Sequence, residues 1–313
     1  MSGERDHGGG LDAAIAQYGG ARPDWLDLST GINPVPYPLG AIDSGAWTAL
    51  PDRGAMAALE AAARRFWAVP DDAALIAAPG ASALIARLPH SFAAGQVCIP
   101  APTYNEHAAA FAAQGWTMAG VGAGAMAQVM VHPNNPNGRI WQATDITARF
   151  AIIDESFCDV MPDRSLIGLA TRPGTVILKS FGKFWGLAGL RLGFAIGDPV
   201  IIGKLTDSLG PWPVSGPALQ IGTRALADHD WAAATRARLV VDTARLDRLM
   251  TRRGAVLVGG TTLFRTYDVN SAADWQTRLA RKHIWSRIFP YSHSWLRLGL
   301  PHPDRWAQLD SAL

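Results

Sequence analysis

Cysteine is scarce, and so is lysine. Two cysteines, Cys98 and Cys158, in 313 residues exclude a disulfide framework. Cys98 lies in the apolar run QVCIP and reads as a small hydrophobe. An excess of one charge is missing too. Lysine and arginine total 28, aspartate and glutamate 26, for a net +2, so no polyanionic partner such as nucleic acid is indicated. The one basic run, Arg236, Arg238, Arg245, Arg248, Arg252 and Arg253, is interleaved with Asp242 and Asp247 and reads as a solvated helix face. Twelve tryptophans without a basic groove read as core and interface packing. No apolar run reaches the ~18 residues of a membrane span, and the opening MSGERDHGGG lacks an apolar signal region. A soluble cytoplasmic protein with no membrane partner is expected. His132, His283, His293 and His302 lack metal-ligand spacing, and no metal is expected.

What is present is a large apolar fraction, 49%, and a length that suggests about two domains. Short continuous apolar runs recur: ALIAAPG, QVCIPAPTY, AQVMVHPNNPNG, FAIIDES and GTVILKSFGK. Such runs are what parallel strands covered on both faces look like. Four end in polar clusters at Thr103 to Asn105, Asn134-Asn135, Asp154-Glu155 and Ser180 to Lys183. In open α/β sheets ligands bind beyond the carboxyl ends of the strands, so these clusters are expected to converge. The division expected is a Gly/Pro-rich arm over 1–39 that joins the small domain, a large domain over 40–212 and a small α+β domain over 213–313. The segment between Arg139 and Asp154 is too short for a full crossover helix with its loops.

The stretch SFGKFWGLAGLRLGF, Ser180 to Phe194, carries the chemistry. Lysine forms a Schiff base with an aldehyde cofactor, and a desolvated apolar site favours the uncharged amine that this needs. The four lysines are Lys179, Lys183, Lys204 and Lys282. Lys183 alone sits in a glycine-flanked loop after a strand. Ser180 offers a hydroxyl to an anion, and Arg191 offers the guanidinium suited to bidentate phosphate contact. Asp154 closes an apolar run, and a carboxylate at that depth implies a cationic partner. A pyridinium nitrogen is such a partner, and pyridoxal phosphate needs an acid there.

With these motifs in this order, the chain resembles the fold-type I pyridoxal-phosphate enzymes of the aminotransferase class I/II group. HPNNPNG, DES-F, SFGK, GLRLG, PGAS, PTY and WLRLGLP carry the resemblance over nearly the whole chain. It implies an α/β fold: a large domain with a mostly parallel sheet covered by helices, and a smaller α+β domain. It implies catalytic roles for Lys183 and Asp154. Pyridoxal 5'-phosphate would be held by Ala81, Ser82, Tyr104, Asn135, Asp154, Ser180, Lys183 and Arg191. Arg297 would bind a substrate carboxylate. The opening HGGGLDAAIAQYGG, Phe157 and the segments VGGTTLFRTYD and SRIFPY are similar to the threonine-phosphate decarboxylases of cobalamin biosynthesis. That implies a phosphorylated amino acid substrate, contacts from His7, Gly8, Asn33 and Asn135, phosphate binding by Arg287, and a homodimer. Leu50-Pro51-Asp52 stands where related aminotransferases carry Tyr-Pro-Asp, so their contact from a neighbouring subunit is missing. The same motifs also suit an aminotransferase of the histidinol-phosphate type. A non-catalytic cofactor-binding module is a third reading.

Overall fold

The computed structural model describes residues 7–313; the first six residues of the expected arm lie outside the described residues. The chain forms two compact units. One comprises Pro36–Asn135 and Arg139–Ala233. The other comprises the chain up to Val35, Pro136–Gly138 and Ala234–Leu313.

The larger unit is built on seven strands: β1 (Ala74–Ala78), β2 (Gln96–Cys98), β3 (Thr117–Ala119), β4 (Ala127–Val131), β5 (Phe150–Asp154), β6 (Thr175–Ser180) and β7 (Gly193–Gly197). Their order is β1-β7-β6-β5-β4-β2-β3. β3, β2, β4, β5 and β6 run parallel, and β7 is antiparallel to both its neighbours. All five residues of β4 and of β7 are buried, as strands covered on both faces must be. Ile76, Leu84, Val97, Phe111, Val129, Ile152, Val176 and Leu205 belong to one core cluster between the sheet and its helices. Between Arg139 and Asp154 the chain makes only a single 3-10 turn, Ala143–Asp145, before β5. The crossover helix is absent, as that segment's length requires.

Parallel β2, β4, β5 and β6 put their carboxyl ends on one edge of the sheet. β1 shares that direction because β7 reverses the chain between β1 and β6. The turns that follow these five strands hold Gly80 to Ser82, Thr103 to Asn105, Asn134-Asn135, Asp154 to Ser156 and Ser180 to Lys183. The expected convergence of polar clusters is therefore a property of the sheet.

The smaller unit has a four-stranded antiparallel sheet: β8 (Val256–Thr261), β9 (Phe264–Asp268), β10 (Arg287–Phe289) and β11 (Ser292–Gly299), in the order β10-β11-β9-β8. The long helix His229–Thr251 enters this unit. Leu26–Asp27 pairs in parallel with Ile284–Trp285. The segment 136–138 belongs here because Thr266 Oγ1 donates to the Pro136 carbonyl at 2.5 Å. None of the described helices is long and apolar enough to cross a membrane.

Candidate active site

The cradle for an anion is assembled from three turns of the larger unit. Gly80 lies at φ +87°, and a side chain there would press on the Arg191 guanidinium. A Cβ on Gly193 would stand 2.4 Å from the Ala81 nitrogen. That contact brings the turn after β1 against β7. Ser180 is the cross-strand partner of Gly193, and Arg191 Nη2 lies 3.4 Å from Ser82 Oγ. Ala81, Ser82, Ser180 and Arg191 are thus neighbours. Arg191 adopts a left-handed backbone and donates Nη1 to the Ala188 carbonyl at 3.1 Å, which aims the guanidinium at the start of the helix Ala81–Arg87.

Asp154 ends β5 with 2% of its surface exposed. Oδ2 lies 2.8 Å from His107 Nε2. Oδ1 accepts from the Ser156 nitrogen at 3.0 Å and from Ser156 Oγ at 2.5 Å. Burial pushes this carboxyl up, but the His107 and Ser156 contacts outweigh it, and Asp154 lies below the usual carboxylate range. It stays ionised in a dry site, as the partner of a protonated ring nitrogen must. His107 sits in the first turn of Asn105–Ala113, with its ring 6.1 Å from that of Tyr104. Sequence reasoning missed His107. Its one signal is its place three residues after Tyr104, at helical spacing.

The turn after β4 is held from below. The His132 nitrogen donates to the Asp154 carbonyl at 2.8 Å. Asn134 accepts from Thr103 Oγ1 at 2.6 Å and donates to the Pro102 carbonyl at 2.9 Å. Asn135 follows directly, at the end of a segment of the larger unit. Lys183 lies in the tight loop after β6, where the Gly186 nitrogen donates to its carbonyl at 3.1 Å. Its Nζ stands 5.2 Å from the centre of the Phe157 ring. An amine on an aromatic face, a buried ionised carboxylate and an anion cradle of hydroxyls and guanidinium fit an aldehyde-bearing pyridine with a phosphate. The expected Tyr-Pro-Asp position is accounted for: Leu50 is exposed, and Asp52 caps the helix Arg53–Phe66 by accepting from the Ala55 nitrogen.

Below this edge lies a second buried polar group. Lys179 Nζ stands 2.5 Å from Glu155 and 3.8 Å from Asp159. His132, Glu155 and Cys158 are close enough to hold a metal ion, but their donor atoms are engaged. His132 Nδ1 accepts from the Trp141 nitrogen, which leaves Nε2 to donate to the Arg164 carbonyl. Glu155 accepts from Lys179, Ser165 and the Leu166 nitrogen. Burial and the charge of Glu155 raise the Cys158 thiol far above its ordinary value. The group is an ion-pair network.

The smaller unit places its candidates on another sheet. Arg297 on β11 is the direct cross-strand partner of Arg287 on β10. Their side chains share a face, and directly opposed like charges repel. The guanidinium of Arg297 lies 5.9 Å, and that of Arg287 5.5 Å, from the Phe289 ring centre. Arg297 is buried and donates to the Ser29 carbonyl; Arg287 donates to the His7 carbonyl. Gly8 links His7 to Gly9, whose nitrogen donates to Ser29 Oγ at 2.7 Å. Asn33 is buried, and its Oδ1 accepts from the Val35 nitrogen at 3.1 Å and from Arg238 Nη2 at 2.6 Å. Ser29 and Arg238 were not foreseen; both sit in segments that read as arm and solvated helix.

The sequence model of the aminotransferase class I and II family matches residues 125–308. A threonine-phosphate decarboxylase from Pseudomonas aeruginosa is 38% identical over 98% of this chain and 97% of its own. One from a Sinorhizobium species is 40% identical over 97% of this chain and 95% of its own. The crystal structure of histidinol-phosphate aminotransferase from Sinorhizobium meliloti in complex with pyridoxal-5'-phosphate superposes with a TM-score of 0.82 at 19% identity, over 97% of this chain and 93% of that one. The last likeness speaks to the fold. The family match over most of the chain and the end-to-end relatives speak to descent: the chain belongs to the aminotransferase class I and II family, alongside the threonine-phosphate decarboxylases.

Proposed function

We propose that this protein is a pyridoxal 5'-phosphate-dependent carboxy-lyase. It converts O-phospho-L-threonine to (R)-1-amino-2-propanol O-phosphate, a step of cobalamin biosynthesis. The observation that carries the substrate is the opposed pair Arg287 and Arg297. A phosphorylated amino acid presents two anions, a carboxylate and a phosphate. A phosphorylated amino alcohol presents only the phosphate. Two guanidiniums on one face of a ladder suit a ligand that carries two anionic groups.

When bound, the cofactor supplies an electron sink for the pair left at Cα as the carboxylate departs. Ala81, Ser82, Ser180 and Arg191 hold its phosphate, Tyr104 its ring face, and Asn135 its phenolic oxygen. Asp154 would accept a hydrogen bond from the cofactor's protonated ring nitrogen. Lys183 is the point of covalent attachment and holds or releases a proton at Nζ. Arg297 would bind and orient the substrate carboxylate, and that orientation would select which bond at Cα breaks. Arg287 would take the substrate phosphate, and His7, Gly8 and Asn33 would approach the substrate.

The test is carbon dioxide release from O-phosphothreonine with no keto-acid acceptor. Transfer of the amino group to an added keto acid, with no carbon dioxide released, would favour the histidinol-phosphate type of reaction instead. One charge-assisted contact contributes roughly 1.5–3 kcal/mol, so Arg287→Ala should weaken O-phosphothreonine binding about ten- to a hundredfold and leave threonine little affected. Arg297→Lys should lower turnover as well as binding, because lysine cannot reproduce the fork. An unchanged preference for O-phosphothreonine over threonine in Arg287→Ala removes Arg287 from the phosphate site.

A homodimer in the cytoplasm completes this reading. Leu39, Trp47, Leu50 and Trp212 are exposed apolar side chains of the larger unit. Arg224 ties the backbone of Leu39 and Ala41 to the helix Gly216–Ala227. Exposed tryptophans, Trp47 and Trp212, suit a subunit contact. Light scattering at micromolar concentration should give twice the chain mass; an active monomer rules the dimer out. Cell fractionation checks the compartment.

A further inference from the structure

The buried network beneath the sheet edge has a consequence for the lysine loop. Asp159 is 4% exposed, and burying a carboxylate there is costly unless every lone pair finds a partner. Its partners are specific. Oδ1 accepts from the Trp67 indole at 2.9 Å, and Oδ2 from the Trp185 indole at 3.1 Å. Lys179 supplies the counter-charge at 3.8 Å. Trp185 is two residues beyond Lys183. Its ring is fully buried and lies stacked between Phe181, at 5.1 Å and 12°, and Trp231, at 5.3 Å and 13°. Its carbonyl accepts from the Tyr37 nitrogen at 2.9 Å. The loop is closed behind it, where the Leu187 nitrogen donates to the Phe181 carbonyl at 3.2 Å.

Stacking alone leaves an indole free to slide in its own plane. A hydrogen bond from its edge to a fixed acceptor removes that freedom. The acceptor here is anchored to the same segment that carries Asp154 and Phe157. We infer that Asp159 is a positioning residue for Lys183: through the Trp185 indole it registers the lysine loop against the Asp154 turn. The inference rests on the proposed role of Lys183 as the point of cofactor attachment. It assigns to the ion pair Lys179–Glu155 the task of keeping Asp159 charged and in place, rather than a part in the reaction.

Two substitutions separate positioning from bulk stability. Asp159→Asn keeps the shape, but its amide nitrogen would face one of the two indole donors. Trp185→Phe keeps a ring in the stack and removes the donor. Cofactor-free protein is mixed with pyridoxal 5'-phosphate, and samples are quenched with borohydride at timed intervals. The modified peptide is then quantified by mass. Reversible cofactor binding is followed separately by tryptophan fluorescence, and folding by near-UV circular dichroism. Each variant should capture the cofactor at Lys183 about tenfold more slowly than wild type. Reversible binding should stay within about twofold. The double variant should be no slower than either single one, because both remove one interaction. Folded variants that capture at the wild-type rate overturn the inference, and so does a double variant whose losses multiply. If Asp159→Asn does not fold, Trp185→Phe decides by the same rates. A wild-type protein that captures no cofactor at Lys183 overturns the underlying role of Lys183, a result visible before any variant is made.

Discussion

Lys183→Ala is expected to fold normally and to lose covalent capture of pyridoxal 5'-phosphate altogether. The side chain sits in a loop, its Nζ against the Phe157 ring, and its removal takes no member from the buried ion network. Decarboxylation should fall by at least about a thousandfold, within the range that a positioned proton-transfer group contributes. The variant should melt within about 2 °C of the cofactor-free wild type, since substitutions outside such networks change stability little. Visible absorbance and borohydride trapping check the first part, and calorimetry the second. A variant that stays yellow and still traps cofactor covalently would move the attachment to another lysine.

Lys179→Met should do the reverse. Lys179 is four residues earlier, at the end of β6 and 2% exposed. Burial pushes its ammonium down, but Glu155 and Asp159 pull it up by more, and the net shift is well above the ordinary lysine value. Removing it takes the Lys179 ammonium away from two buried carboxylates. Breaking one partner from such a group costs roughly 3–5 kcal/mol, a large part of ordinary stability. A fall in Tm on the order of 10 °C is expected, together with poor expression. A raised folded pKa means that this contribution is complete below the ordinary lysine pKa and fades as pH rises through the raised one. Across pH 6–9 the stability difference between wild type and Lys179→Met should therefore be flat. A difference that collapses within this window would show that Lys179 is not held charged. Lys179→Met is for the same reason unsuitable as a neutral control for Lys183→Ala.

Much of this molecule follows from its sequence alone. Continuous apolar runs ended by polar clusters specify parallel strands, and parallel strands put their ends on one edge whatever else the chain does. The side chains proposed to serve a phosphate and an attached amine lie close in sequence, within Ser180 to Arg191, so their spacing is readable without a fold. The missing crossover before Asp154 follows from counting residues.

Other relations were decided only by tertiary packing. His107 belongs with Asp154 because folding brings the first turn of the helix Asn105–Ala113 to the end of β5; 47 residues separate them. Arg287 and Arg297 face one another because of the register of a hairpin, and register is set by which face is buried. Asp159 meets Trp67 across 92 residues, and no local pattern marks either as the other's partner. Asp159 in DESFCDV and Trp185 after FGKF carry no sequence signal that pairs them. Only the burial of both, at hydrogen-bonding distance, makes one the acceptor for the other. Short-range chemistry is written in consecutive residues. Charge compensation is written in three dimensions, because a buried ion is tolerated only where distant segments bring it partners.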